Sequence, residues 1–355
     1  MSCRRIAIFP VDYSTVSIIR FAQLGNFKPI ALLSPDLSVL SGSDVAKLDG
    51  GNETGIPLNT DYENQISKVD AIYLTDSTWY FDAEKYKKLF SFAKSINKEV
   101  LIDIGTKAKL NINPIIVNEH DYTRDRKKRI MAIDVPIISV FSIGDLSGQS
   151  QTEYMARKYF QVNKYKVMQI CSHENGKLIG CEPLPRFLYD VTIDAVDKIT
   201  MFNEFVHRLC NETKPDIIIV GVPQPIMKYN DEILNGFGIL PFIVQNGIQS
   251  DIGIVSLYYY QNYSDEYLDL LANLCKYRFG VSANFFSISN NTVSKNENRT
   301  NELNYMHLTS DHVKNTLKDN ITDGRFMLFS AYDEEDSCKA FSKIESLLQE
   351  NPMTI

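Results

Sequence analysis

The sequence predicts an α/β protein built on parallel sheets, and three observations predict it. Short apolar runs such as Arg5–Val11 and Asp216–Gly221 have the composition of strands buried on both faces. Segments of helical periodicity alternate with these runs along the chain, the order that generates doubly wound sheets. The chain is 355 residues long, 44% apolar and 23% charged, which is enough material for two or three domains.

The first half supplies strands at Arg5–Val11, Pro29–Leu33, Ala71–Thr75 and Glu99–Ile104, with helices at Ser14–Leu24 and Ala83–Ile96. The turn after the first strand, Pro10-Val-Asp-Tyr-Ser-Thr15, has no glycine fingerprint, so a standard dinucleotide site is not expected there. Asn118–Arg129 is dense in charge and reads as a solvated connector near a domain boundary.

A second alternating series begins at Pro136. Strands are expected at Pro136–Ile143, Lys166–Cys171, Asp216–Gly221, Ile254–Tyr258 and Asn284–Ile288, and helices at Gln151–Phe160, Thr192–Leu209 and Asp265–Tyr277. The polar stretch 290–301 reads as a linker. From Leu303 onward the pattern is strand, helix, strand, helix. The last helix carries Cys338, Phe341, Ile344, Leu347 and Leu348 on one face, and Asp333-Glu-Glu-Asp336 suits its N-terminal dipole. The expected organisation is a Rossmann-like domain over 1–130, a P-loop-like α/β domain over 131–292, and a small C-terminal α+β extension over 293–355.

Bulk charge narrows the partners. The formal net charge is −7, which offers no long-range attraction to nucleic acid or to an anionic membrane. No apolar run approaches the roughly 18 residues that span a bilayer, and no secretory h-region follows the first residues. A cytoplasmic protein is expected, with a homodimer as a compatible assembly. The six cysteines form no Cys-x-x-Cys pair and have no His at metal-ligand spacing, so they read as reduced thiols.

The segment Pro136–Glu153 carries the chemistry. It reads as a buried strand, a small-residue loop and a helix start, the layout that offers backbone N–H groups to a phosphate. Gly144, Ser147, Gly148, Gln149, Ser150, Gln151 and Thr152 form the candidate cofactor-binding set, with hydroxyls at Ser150 and Thr152 for phosphate or Mg²⁺. The Gly-x-x-x-x-Gly-Lys-Ser/Thr pattern fails twice: Ile143 stands at its first position and Gln149 at the lysine. Asp145 adds negative charge to the loop. Ser150-Gln-Thr-Glu153 also has the form of a capping box, which offers a purely local reason for the same residues.

Neighbouring segments extend the set. Glu182, after the second strand of this series, is a candidate Mg²⁺ or water-positioning carboxylate, so Ser150 and Glu182 are the expected metal ligands. His173 is a candidate for proton transfer, making Glu182 and His173 the expected catalytic pair. Gln224, at the carboxyl end of the Asp216–Gly221 strand, is a candidate ligand contact. Lys177 and Arg186 are candidates to replace the missing positive charge. Tyr258-Tyr-Tyr260 and Trp79-Tyr80 read as packing or rim aromatics.

The loop Ser142–Thr152, the Ile179-Gly-Cys-Glu-Pro183 element and the Pro215–Pro225 strand together resemble the clostridial peptide maturation system proteins, encoded beside radical-SAM maturases of Cys-rich peptides. More remotely, the chain resembles two-domain proteins joining a Rossmann-like half to a P-loop half of the dethiobiotin-synthetase kind. The near resemblance implies an accessory role in maturing a ribosomally made peptide, with a precursor peptide or a maturase as partner. The remote one implies ATP or GTP with Mg²⁺ as cofactor. Its members carry Gly-Lys where this chain has Gly148-Gln149, which bears on hydrolysis more than on fold. Two alternatives stand beside this reading: an ATP- or GTP-dependent ligase or phosphotransferase acting on a peptide or small carboxylate, and a ligand-free scaffold for a maturase complex.

Overall fold

A computed structural model describes residues 3–35, 41–77, 80–110, 129–295, 302–319 and 324–350. The chain divides into two compact units. One comprises 1–122 together with 174–181, and the other comprises 123–173 and 182–355. The short segment Glu174–Cys181 thus belongs to the first unit although its flanks belong to the second. Most of the charged connector, along with Trp79, lies outside the described residues.

In the first unit the order is β1 (Arg4–Phe9), α1 (Tyr13–Arg20), β2 (Phe27–Leu33), α2 (Ala46–Asp49), β3 (Leu58–Asn59), α3 (Tyr62–Ser67), β4 (Ala71–Leu74), α4 (Ala83–Ser95), β5 (Glu99–Ile102) and α5 (Ile104–Lys109). The strands form one parallel sheet in the order β3-β2-β1-β4-β5. The chain winds outward in both directions from the β1–β4 pair, as a doubly wound sheet requires. Ile6, Ala7, Ile8 and Phe9 are buried because helices cover both faces of a parallel sheet.

The second unit runs β6 (Ile137–Ser142), α6 (Gln149–Val162), β7 (Val167–Cys171), β8 (Glu182–Pro183), α7 (Ala195–Thr213), β9 (Ile217–Pro225), α8 (Ile239–Ile248), β10 (Ile252–Leu257), α9 (Asp265–Leu274), β11 (Ser282–Ile288), β12 (Asn291–Lys295), β13 (Leu303–His307), α10 (Ser310–Asp319), β14 (Met327–Phe329) and α11 (Glu334–Glu350). Seven strands make a parallel sheet in the order β14-β11-β10-β6-β9-β7-β8. β6 is central and buried throughout, so the loop that follows it opens where strand order reverses.

The structure departs from the sequence reading after Ile288 and in the C-terminal segment. The expected linker after Ile288 begins with β12, which pairs antiparallel with β13. Polar composition misled there, because a hairpin stabilised by cross-strand pairs needs little apolar content. The C-terminal segment is part of the large sheet: β14 pairs with β11, and α11 packs against α6. The buried face of α11 includes Ser337, Ala340, Phe341 and Ile344, whereas Cys338 is exposed. Among the described residues no helix is long and apolar enough to cross a membrane.

The first unit contains a nearly buried ion pair. Arg20 Nε lies 2.5 Å and Nη2 2.6 Å from the two oxygens of Asp49, with side-chain exposures of 12% and 11%. Two-point contact with little water makes each partner costly to remove alone. Asp49→Ala is expected to lower stability by about 3–5 kcal/mol in urea denaturation of the full chain, with Asp49→Asn less affected.

Candidate functional site

The site is built from the turn between β6 and α6. Leu146 and Gly148 both have left-handed backbones, at φ 59° and 82°. Interrupted handedness of this kind turns successive N–H groups toward a common side. Gly148 is the N-cap of α6, and among the described residues no side chain caps this helix. The expected capping box is therefore not formed: the helix starts before Ser150, and Glu153 turns inward instead of back to the N-terminus. Side chains close the N-termini of α1, α4, α7 and α9, through Asp12, Asp82, Asp194 and Ser264 respectively. The first-turn N–H groups of α6 have no such partner and carry the positive end of the helix dipole.

Neighbouring strands hold the loop in this shape. The Tyr258 hydroxyl donates to the Asp145 carbonyl at 2.6 Å, and Asn291 Nδ2 donates to the Leu146 carbonyl at 2.6 Å. Asn291 is itself held by His307, its Oδ1 lying 2.5 Å from Nδ1. Burial pushes the Tyr258 phenol far up, which keeps it a donor. Tyr258 also explains Gly144, since a Cβ there would lie 2.2 Å from the Tyr258 hydroxyl oxygen. At Gly148 a Cβ would be 3.1 Å from the Ser289 Cβ in an already unfavourable φ. The Asp145 and Leu146 carbonyls are thus occupied, and among the described residues no side chain caps the N–H groups that follow them. Ser147 is 2% exposed, and its Oγ has no hydrogen-bond partner among the described residues.

Gln149, at the lysine position, faces the sheet. Between β6 and β9 the register slips: Val140 faces Gly221, but Ser142 faces Pro225. At the slip Gln149 Nε2 donates to the Val140 carbonyl at 2.8 Å and the Val222 carbonyl at 2.7 Å. Both amide hydrogens are thereby used. Gln151 Nε2 donates to the Ala331 carbonyl at 3.0 Å, and Thr152 Oγ1 lies 2.7 Å from Ser287 Oγ in the interior. Of the seven loop candidates, Gly144, Ser147, Gly148 and Ser150 line the turn, while Gln149, Gln151 and Thr152 direct their side chains inward.

Ser150 is joined to His173. The Ser150 Oγ is 3.0 Å from His173 Nδ1, and the same nitrogen is 2.9 Å from Ser172 Oγ. Ser172 in turn donates its hydroxyl to Glu153 at 2.6 Å and its N–H at 3.2 Å. Sequence reading singled out His173 and Ser150 separately. It missed Ser172 and the inward role of Glu153, whose only local signal was the sequence form of a capping box.

The remaining candidates come from other segments of the chain. Glu182 is exposed on edge strand β8, three strand spacings or about 14 Å from β6. Among the described residues, no group of three or more His, Cys, Asp or Glu is arranged to hold a metal. Gln224 is exposed at the end of β9 with φ 63°, its amide beside Gly236. Arg186 is exposed on a 3₁₀ turn, and exposed Lys177 belongs to the first unit. Tyr258 and Tyr259 are buried.

The first unit has the opposite electrostatics at its strand ends. The Asp12 carboxylate fills the α1 N-terminus in a capping box and accepts from Ser77, leaving no open anion site there. Burial pushes the Asp103 carboxyl up to about 7, against hydrogen bonds from Tyr73 and the Asp76 N–H.

No protein-family model matches the chain, and no curated protein matches it. Among solved structures, a DUF1611 family protein from Anabaena variabilis aligns over 96% of this chain and 99% of its own, with a TM-score of 0.56 at 8% identity. At that identity the likeness is one of fold, and it extends along nearly the whole chain. A GTPase from Pyrococcus abyssi in its apo form aligns over 63% of this chain and 100% of its own, with a TM-score of 0.35 at 12% identity. A plasmid partition protein from Borrelia burgdorferi bound to AMPPNP aligns over 61% and 98%, with a TM-score of 0.33 at 14% identity.

Two predictions follow from the buried polar groups. Gln149→Leu leaves two interior carbonyls unpaired and is expected to cost about 2–4 kcal/mol. Gln149→Lys retains donors and should cost less in the same denaturation series. Burial raises the Glu153 carboxyl from its ordinary 4.5 to about 7, so the native state holds its proton more tightly than the unfolded state. Its contribution is fully present below about 4.5 and is lost as pH rises through about 7. The loss is on the order of 3 kcal/mol. Glu153→Gln should flatten urea-denaturation stability across that window, leaving the slope from Asp103.

Proposed function

We propose that the β6–α6 loop binds the phosphate group of a nucleotide or another phosphorylated small molecule. One observation carries this reading: α6 has an uncapped N-terminus beside a buried Ser147 hydroxyl that has no partner among the described residues. Uncapped N–H groups and a buried, unused hydroxyl are costly to keep, and an anionic oxygen would satisfy them. Gly144, Ser147, Gly148 and Ser150 fit such a group. For Mg²⁺ the loop brings the Ser150 hydroxyl, while the other expected ligand, Glu182, stands three strands away on β8.

Gln149 bears on what the loop does with its ligand. Its amide serves the sheet, so no cation from that position neutralises a phosphate. The loop therefore lacks, at that position, the cation that offsets charge on a transferring phosphoryl group, and the reading is binding without turnover. The sequence resemblance adds a setting, the maturation of a ribosomally made peptide, in which this unit would act as an accessory factor. Co-purification of the chain with a precursor peptide or maturase tests that setting.

Calorimetric titration with pyrophosphate, ADP, ATP and GTP, each with and without Mg²⁺, tests the phosphate site. Saturable binding is expected, and no heat and no thermal shift with any ligand would remove it. Ser147→Ala should weaken binding by about three- to tenfold, the worth of one hydrogen bond, and leave the melting temperature unchanged or raised. A structural role for this hydroxyl predicts the reverse, a lowered melting temperature with affinity intact.

A further inference from the structure

Donor counts set the direction of the hydrogen bonds that link Glu153 to the loop. The Glu153 carboxylate is fully buried, packed against Gly221, where a Cβ would lie 2.3 Å from its Oε1. It receives both the hydroxyl proton and the N–H of Ser172. An ionised carboxylate only accepts, so the single Ser172 hydroxyl proton is committed to it. The Ser172 Oγ then has only lone pairs to offer His173 Nδ1 at 2.9 Å, and the proton between them must sit on that nitrogen. This N–H also faces Ser150 Oγ at 3.0 Å, in a three-centre arrangement. Ser150 accepts there, and its own hydroxyl proton has no acceptor among the described residues. The Leu146 carbonyl, one turn back, is already held by Asn291.

We propose that Glu153, acting through Ser172 and His173, fixes Ser150 as a hydrogen-bond donor toward the phosphate group bound at the β6–α6 loop. The inference rests on the phosphate-site reading. Glu153, Ser172 and His173 are positioning residues, and Ser150 touches the ligand. The arrangement selects a ligand that presents only acceptors, as a phosphate oxygen does. It also gives a purpose to a carboxylate buried one turn below the loop, which a neutral side chain of the same shape could replace at lower desolvation cost.

The test uses the full chain at pH 8.5, where Glu153, raised to about 7 by burial, is ionised. Nitrogen-15 spectra of the ligand-free protein, assigned with His173→Gln, are expected to show His173 in the Nδ1–H tautomer. Glu153→Gln places an amide donor opposite Ser172, turns the Ser172 proton toward His173, and should shift the ring to Nε2–H. Pyrophosphate titration should then show Glu153→Gln, Ser172→Ala and Ser150→Ala each weaker than wild type by about three- to tenfold, one hydrogen bond's worth. The Ser150→Ala, Glu153→Gln double variant should be no weaker than Ser150→Ala alone, because both act on one bond. An Nε2–H tautomer in the wild type, or additive losses in the double variant, overturns the proposal while leaving the phosphate site standing. No pyrophosphate or nucleotide binding by the wild type overturns both. The wild-type tautomer is read without Glu153→Gln, so a misfolded Glu153→Gln protein leaves the proposal open to refutation.

Discussion

The second unit depends on one side chain bridging two strands. Where β6 and β9 slip out of register, Gln149 donates to a carbonyl from each. The slip accommodates Pro223, which has no N–H to give the ladder, and Gln224 in a left-handed backbone. Without a donor at this point, two carbonyls would be buried unpaired in the middle of the sheet. The bridge fixes the first residue of α6 against the sheet, and so fixes where the loop before it must turn. The residue type at this position therefore answers to the sheet, and the loop keeps its shape without a local cation.

Around that anchor, the loop is held by its carbonyls. Tyr258 comes from the segment after β10 and Asn291 from the hairpin strand β12, and each occupies one loop carbonyl. Holding a turn from its acceptor side leaves its donors facing the open side, the arrangement an anion needs. The polar Asn291 segment thus braces the loop, supported by His307 from the paired strand.

The two units use the same sheet architecture to opposite electrostatic ends. Both place a helix N-terminus after a central parallel strand, where the dipole favours negative charge. In the first unit the chain supplies that charge itself, through Asp12. In the second, Gly148 supplies none, and Ser147 adds a hydroxyl with no partner among the described residues. A one-residue difference in side chain at the cap decides whether such a terminus is closed or available.

The alternation of apolar runs and amphipathic segments determined the class of fold, because strand burial on both faces demands continuous apolar composition. Runs such as Asp216–Gly221 and the small residues Gly144, Ser147 and Gly148 were legible for that reason. Helix α8 escaped notice: Ile239–Ile248 is apolar nearly all round and shows no clear period. β12 was equally opaque, since its polar residues pair across a hairpin. The side-chain directions at the loop were decided by tertiary structure alone. Ser150-Gln-Thr-Glu153 satisfies a capping rule in one dimension, yet the pull of Ser172 on a buried carboxylate and of two strand carbonyls on Gln149 overrides it. Those partners lie between 9 and 73 residues away. Sequence spacing constrains only what sits within a turn or two, whereas hydrogen-bond demand in a buried sheet is met by whichever group the fold brings near.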